Sequence, residues 1–254
     1  MPMAQVNCTP RIASVAAAFG IALGLASGAV SPASAQDVDL STKEVRAVTH
    51  SYAQCVVKRQ PTRAAAAIRE NLDNAILLRK YPQLIVSDCL RRSPGEVLTM
   101  RFTGDLYRYA LADALVNREF PGSNAPDISR TARLDHRDPG APPLAVNRKG
   151  KKLSAKKYQA ALEQHQKAGG FAYLSRYGEC VVRSAPAAAK ELLRATPDSA
   201  EETARFKALS LALSTCLPEG QTLKFGKVTL RGTIAVNYYR LAVAARAAAP
   251  GMAG

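Results

Sequence analysis

The residues of this 254-residue chain whose types and spacing could do chemistry are its 5 cysteines, its 3 histidines and a set of repeated cations. Four of the cysteines recur in a pattern. "YAQCVVKRQP" at 52–61 is echoed by "YGECVVRSAP" at 177–186, and "LIVSDCL" at 84–90 by "LALSTCL" at 211–217. Cys55 and Cys89 are 34 residues apart, Cys180 and Cys216 36. Each pair occupies equivalent places in its own copy, so the duplication predicts the disulfides Cys55–Cys89 and Cys180–Cys216. In the chain-entropy account, loops of that size give roughly 4 kcal/mol of stabilisation each. Metal binding is the alternative chemistry. None of the four lies in a Cys-x2-Cys arrangement and no histidine falls near them at zinc spacing, so no metal or cofactor is expected.

With these four paired, and with Cys8 expected to leave with a signal peptide at 1–35, no thiol of the mature chain is left as a nucleophile. His136 stands in "LDHRD" between Asp135 and Asp138, where a neighbouring carboxylate could make it a general base. On a loop such neighbours are ordinarily solvated, so no catalytic residue is assigned. His50 and His165 fall on helical stretches as surface or boundary residues. "RKGKKLS" lacks the first glycine and the preceding strand of a phosphate-binding loop, and neither a Gly-x-Ser-x-Gly elbow nor a His-Glu-x-x-His helix occurs.

The cations offer more. Lys58 and Arg183, Arg101 and Lys224, and Arg108 and Arg231 keep positive charge at equivalent positions of the two copies. Flanking a shared groove, such pairs would hold a phosphate, sulfate or carboxylate. Structural roles compete with this: Lys58 and Arg183 sit near helix C-termini, where the dipole favours cations. A second basic feature is Lys149, Lys151, Lys152, Lys156 and Lys157, five lysines within nine residues. They are either simply solvated or drawn to an anionic surface. Tyr52 and Tyr177 are expected as core aromatics.

The elements that must position these groups are helical. Ser41-x-x-Glu44 and Ser199-x-x-Glu202 are capping boxes. Val45, Val48, Tyr52, Cys55 and Val56 follow helical spacing, and Pro61 should end that helix and open the next. "TRAAAAIRENLDNAILL" predicts one continuous helix, followed by another after Pro82 that reaches Leu90. "EVLTMRF" alternates and reads as short and extended, and a last helix covers 105–116. The second copy predicts helices over 171–185, 187–195, 199–217 and 230–248, with "TLKF" extended. An additional helix over 153–168 should be interrupted at Gly169-Gly170. The repeat therefore predicts an all-α, mainly helical fold: two tandem disulfide-stapled units in a pseudo-twofold arrangement, each with a short extended segment.

Residues 1–35 carry an apolar run from Ile12 to Val30 and the small-x-small triplet Ala33-Ser34-Ala35, which predicts a secretory signal peptide cleaved after Ala35. The expected organisation is signal 1–35, first repeat 36–118, a Pro/Gly-rich basic linker 119–153 read as an exposed loop, second repeat 154–249 and tail 250–254. No later stretch reaches the ~18 apolar residues of a membrane span. The net charge of +15 is densest in the linker and favours anionic partners without naming one. Few aromatics interleave with the basic run, which argues against nucleic acid.

The Cys-Val-Val motif, the later Ser-x-Cys-Leu motif and the ending "LKFGKVTLRGTIA" resemble a group of small exported alphaproteobacterial proteins, over most of residues 50–245. Tyr109 stands where the second copy has Gly232, which makes the ending less regular in the first. The resemblance implies an exported, duplicated helical protein and no activity. The expected function is a periplasmic or secreted non-catalytic binding or interaction protein, its partner an anionic envelope component or a periplasmic protein. The alternatives are attachment to the envelope surface through the basic linker, or an enzyme of unrecognised type.

Overall fold

The computed structural model describes residues 42–90, 98–99, 102, 104–147, 149–219 and 226–248, together with Thr9–Pro10. The fold is all-α. Helix α1 (Thr42–Arg59) stops because Pro61 follows, and α2 (Pro61–Arg69) begins on that proline. The same punctuation recurs where α5 (Ala155–Ser184) gives way to α6 (Pro186–Arg194). Further along come α3 (Asn74–Lys80), α4 (Leu106–Glu119), α7 (Ala200–Ala208), α8 (Ser210–Thr215) and α9 (Lys227–Ala248). Thr9–Pro10 (β1) and Leu98–Thr99 (β2) form a two-residue antiparallel ladder, so part of the expected extended segment is extended. "TLKF", Ser41 and the rest of 1–35 lie outside the described residues.

Four helical expectations need correction, the first being 199–217, which forms two helices, α7 and α8, divided at Leu209. The stretch after Pro61 is not one helix: Asn71 adopts φ 52° and Asp73 caps α3 by accepting from Ile76 N–H, so the chain turns between α2 and α3. In place of a helix from Pro82 to Leu90 there are two 3-10 turns, Pro82–Leu84 and Ser87–Leu90. Gly169-Gly170 do not interrupt α5, which runs through them for 30 residues. Flanking helix formers carry the backbone through, at the usual cost of glycine in a helix.

Helices α4 and α9 lie at the centre. Every residue of α9 from Arg231 to Ala242 is buried, as is nearly all of α4 from Tyr107 to Val116, the pattern of helices enclosed on all sides. α1 and α2 pack on α4, while α5 and α6 pack on α9. One apolar core, including Val56, Val57, Leu115, Val181, Val182 and Ile234, runs through helices from α1 to α9. At the α4–α9 crossing Gly232 is required: a Cβ there would run into the Tyr109 ring.

Both predicted disulfides, Cys55–Cys89 and Cys180–Cys216, are present. Beside each staple a buried tyrosine meets the same stretch of backbone. Val86 N–H donates to the Tyr52 hydroxyl (2.9 Å), and the Tyr177 hydroxyl donates to Leu213 O (3.0 Å). The two-residue difference in cysteine spacing also has a place. Glu70 alone separates α2 from the left-handed Asn71, whereas Ala195, Thr196 and Pro197 separate α6 from the left-handed Asp198 (φ 61°).

The 119–153 linker is a loop, but its first part is not simply exposed. Ile128 is buried, and residues 128–136 are strapped across α5 and α9. The later part folds into a tight turn in which the Asn147 side chain accepts from Lys149 and Lys151 N–H, and Val146 pairs with Lys152. The turn leads directly into α5, whose first 16 residues include no buried residue. Among the described residues, no helix is long and apolar enough to cross a membrane.

Candidate functional site

The chemistry-bearing side chains fall into two buried polar networks and one exposed basic turn. The first network joins α1, α4, α7 and α9. Arg231 is 4% exposed, and its guanidinium is fully committed. Asp113 receives its Nε (3.2 Å) and Nη2 (3.0 Å), Glu202 receives Nη1 (3.2 Å), and the carbonyls of Leu192 and Leu193 take the rest. Arg46 reaches into the same cluster to pair with Glu202 (2.9 Å) and Asp198. His50 Nδ1 stands 3.4 Å from Asp113 Oδ2. The capping-box residue Glu202 also accepts from Asp198 N–H, while the Ser199 hydroxyl caps Glu202 N–H. A cavity of about 40 Å³ opens beside Gly232 against Arg46, His50, Asp113 and Arg231. Three carboxylates here face two guanidiniums, so an anion is not favoured.

The second network joins α4, α5 and the strap. Arg108, 3% exposed, donates from Nη2 to Asn71 Oδ1 (2.6 Å) and stacks on Phe171, its guanidinium carbon 4.7 Å from the ring centre. Asn71 Nδ2 donates to Ser175 Oγ (3.0 Å), Ser175 Oγ lies 2.8 Å from His136 Nδ1, and His136 Nε2 lies 2.5 Å from Glu179. Glu179 also receives Leu134 N–H (3.0 Å) and Arg183 Nε (2.7 Å). Burial works against the Glu179 carboxylate, but hydrogen bonds from Leu134 N–H, His136 and Arg183 outweigh it and hold its pKa below the ordinary value.

His136 is thus not a solvated loop residue beside Asp135 and Asp138. Ser175, His136 and Glu179 have the residue types of a hydrolytic triad, but the imidazole turns Nδ1 to the serine, whose hydroxyl also accepts from Asn71. Ser175 is 4% exposed beneath the strap. What this cluster does is dock the strap. Arg183 adds bonds to the carbonyls of Thr131 (3.1 Å) and Ala132 (2.6 Å), and Arg240 donates to Asp135 O (2.6 Å).

No known protein family, curated protein or solved structure matches this chain.

Among the described residues, the paired cations fall in separate surroundings rather than flanking a shared groove. Arg231 is saturated by carboxylates, Arg183 ties down the strap, and Arg108 is enclosed, while Lys58 is exposed at the end of α1. Arg101 and Lys224 lie outside the described residues. Lys149, Lys151, Lys152, Lys156 and Lys157 are all exposed. Leu144 (72% exposed) and Val146 (43%) stand on the same turn. Tyr52 and Tyr177 are core aromatics, and no metal-holding cluster of His, Cys, Asp and Glu occurs among the described residues. Sequence reasoning missed Arg46, Asp113 and Glu202. Asp113 interrupts the otherwise apolar stretch "ALADALV", and that was the available signal, since buried charges need partners.

Proposed function

We propose that this is an exported, non-catalytic interaction protein, held at an anionic envelope surface by the turn and helix start at 144–157. The observation that carries this is the exposure of all five lysines beside the bare side chains of Leu144 and Val146, while the repeated Arg183 and Arg231 are consumed within the fold. Cations next to exposed apolar groups suit the boundary between lipid headgroups and acyl chains. Each lysine near an anionic membrane contributes about 1 kcal/mol. Two disulfides support an oxidising compartment, and residues 1–35 remain our proposed signal.

We also read the chain as two fused units about a pseudo-twofold axis. Its support is the recurrence of element contacts: α1 with α4 and α5 with α9, α2 with α4 and α6 with α9, α2 with α9 and α4 with α6. Tyr109 and Gly232, aligned in the repeat, touch each other, which is what residues beside a twofold axis do.

The test replaces all five lysines by glutamine. The parent should sediment with vesicles of phosphatidylglycerol and phosphatidylcholine at low salt and leave them at high salt. The variant should bind at least tenfold more weakly with an unchanged Tm. A variant that binds like the parent, or a parent that ignores these vesicles, overturns the proposal.

A further inference from the structure

Between α4, α5 and α9 lies a small cavity of about 10 Å³ lined by Arg108, Phe171, Leu174, Ser175, Val236 and their neighbours. A water-sized body has room to move inside it, so a single ion somewhat larger than water fits. Arg108 Nε is buried and has no hydrogen-bond partner, and leaving a buried charged donor unpaired is costly. The nearest carboxylate contact of this guanidinium is Asp105, 4.0 Å from Nη1.

Arg231, aligned with Arg108 in the repeat, shows what such a guanidinium does when it is complete. Its Nε and Nη2 both engage Asp113. Carried through the same alignment, the position of Asp113 falls on Val236, a wall of this cavity. Where one arginine meets a carboxylate, the other meets a valine, an orphaned N–H and a void. Arg240, one turn beyond Val236 on α9, is also buried and has an unpartnered Nη1. Burial, and next the charge of Arg108, push its pKa down to about 10, so the two cations feel each other.

We propose that this cavity binds a small monovalent inorganic anion of halide size at Arg108 Nε, in the place that Asp113 takes at Arg231. The comparison of the two arginines rests on the repeat reading; the unpaired donors do not. Asn237, which also lines the cavity, has an unpartnered Oδ1. A water could serve that acceptor and Arg108 Nε together, so water is the competing occupant.

Two measurements on the full, disulfide-intact chain decide. In crystals soaked in sodium bromide, an anomalous peak is expected within hydrogen-bonding distance of Arg108 Nε. In solution, chloride or bromide should raise Tm by about 2–4 °C, saturably, over sodium gluconate at equal ionic strength. Val236→Asp supplies the missing carboxylate and should abolish this halide response. If that variant does not fold, the anomalous peak decides alone. No peak at Arg108 means a water only and overturns the proposal, as does a folded Val236→Asp that still responds to halide. Neither result bears on the lysine turn, which the vesicle assay tests separately.

Discussion

Glu179 shows how one carboxylate on a helix governs a loop more than forty residues away. It accepts from Leu134 N–H, faces His136 and pairs with Arg183, so the strap is held largely through it. Because its pKa is depressed in the folded protein, the docking energy is fully present above the ordinary carboxylate value and fades as pH falls through the lower, folded value. The protection of the Leu134 amide, its exchange rate compared with the intrinsic rate at the same pH, should therefore hold from neutral pH down to the ordinary carboxylate range and be lost below it. Glu179→Ala should expose this amide at neutral pH, speeding exchange about tenfold. Unchanged exchange in the variant would show that the strap is held elsewhere. None of this was legible beforehand. The partners of His136 come from a helix distant in sequence, and its imidazole hydrogen-bonds to Ser175 and Glu179 rather than to the carboxylates at 135 and 138 that proximity suggested.

At the scale of elements, punctuation by proline was readable while interruption by glycine was misread. Pro61 and Pro186 each begin a helix because proline's fixed φ suits a first turn and its missing N–H is not needed there. Gly169 and Gly170 looked like a break, yet α5 continues through both. Propensity is a weak prior once flanking turns are helical. Nothing lies within 4 Å of a Cβ built at either position, so the double change Gly169→Ala, Gly170→Ala should stabilise α5 by about 1–2 kcal/mol. This would be read as a rise in helicity by circular dichroism and in urea midpoint. A fall in midpoint would mean that the arm needs its glycines for bending. The turn at Asn71 escaped notice because asparagine in left-handed geometry interrupts a run of good helix formers without a glycine or proline to announce it.

For the molecule as a whole, the cysteine spacing carried the most information, since similar separations of 34 and 36 residues chose one pairing of three and both staples are present. What the spacing did not convey is that a single core joins residues from α1 to α9, with α4 and α9 at its centre. That seam depends on Tyr109 fitting against Gly232. Gly232→Ala should cost about 2 kcal/mol or more by overpacking, and Tyr109→Ala about 3–5 kcal/mol by leaving a cavity. Combined, they should cost clearly less than their sum, because removing the ring makes room for the new methyl. Urea unfolding of the four proteins closes the cycle, and strict additivity would place the two residues out of contact.

The length of α5 has an electrical consequence. Its first 16 residues, outside the core, span about 24 Å at 1.5 Å per residue. At physiological ionic strength the field of a charge is screened over about 8 Å, some three times less. The lysines around residue 150 are therefore electrically remote from the point where α5 enters the core. Charges placed at that far end are hidden from them by the intervening salt, so the turn can meet an oppositely charged surface with a potential set by its own residues.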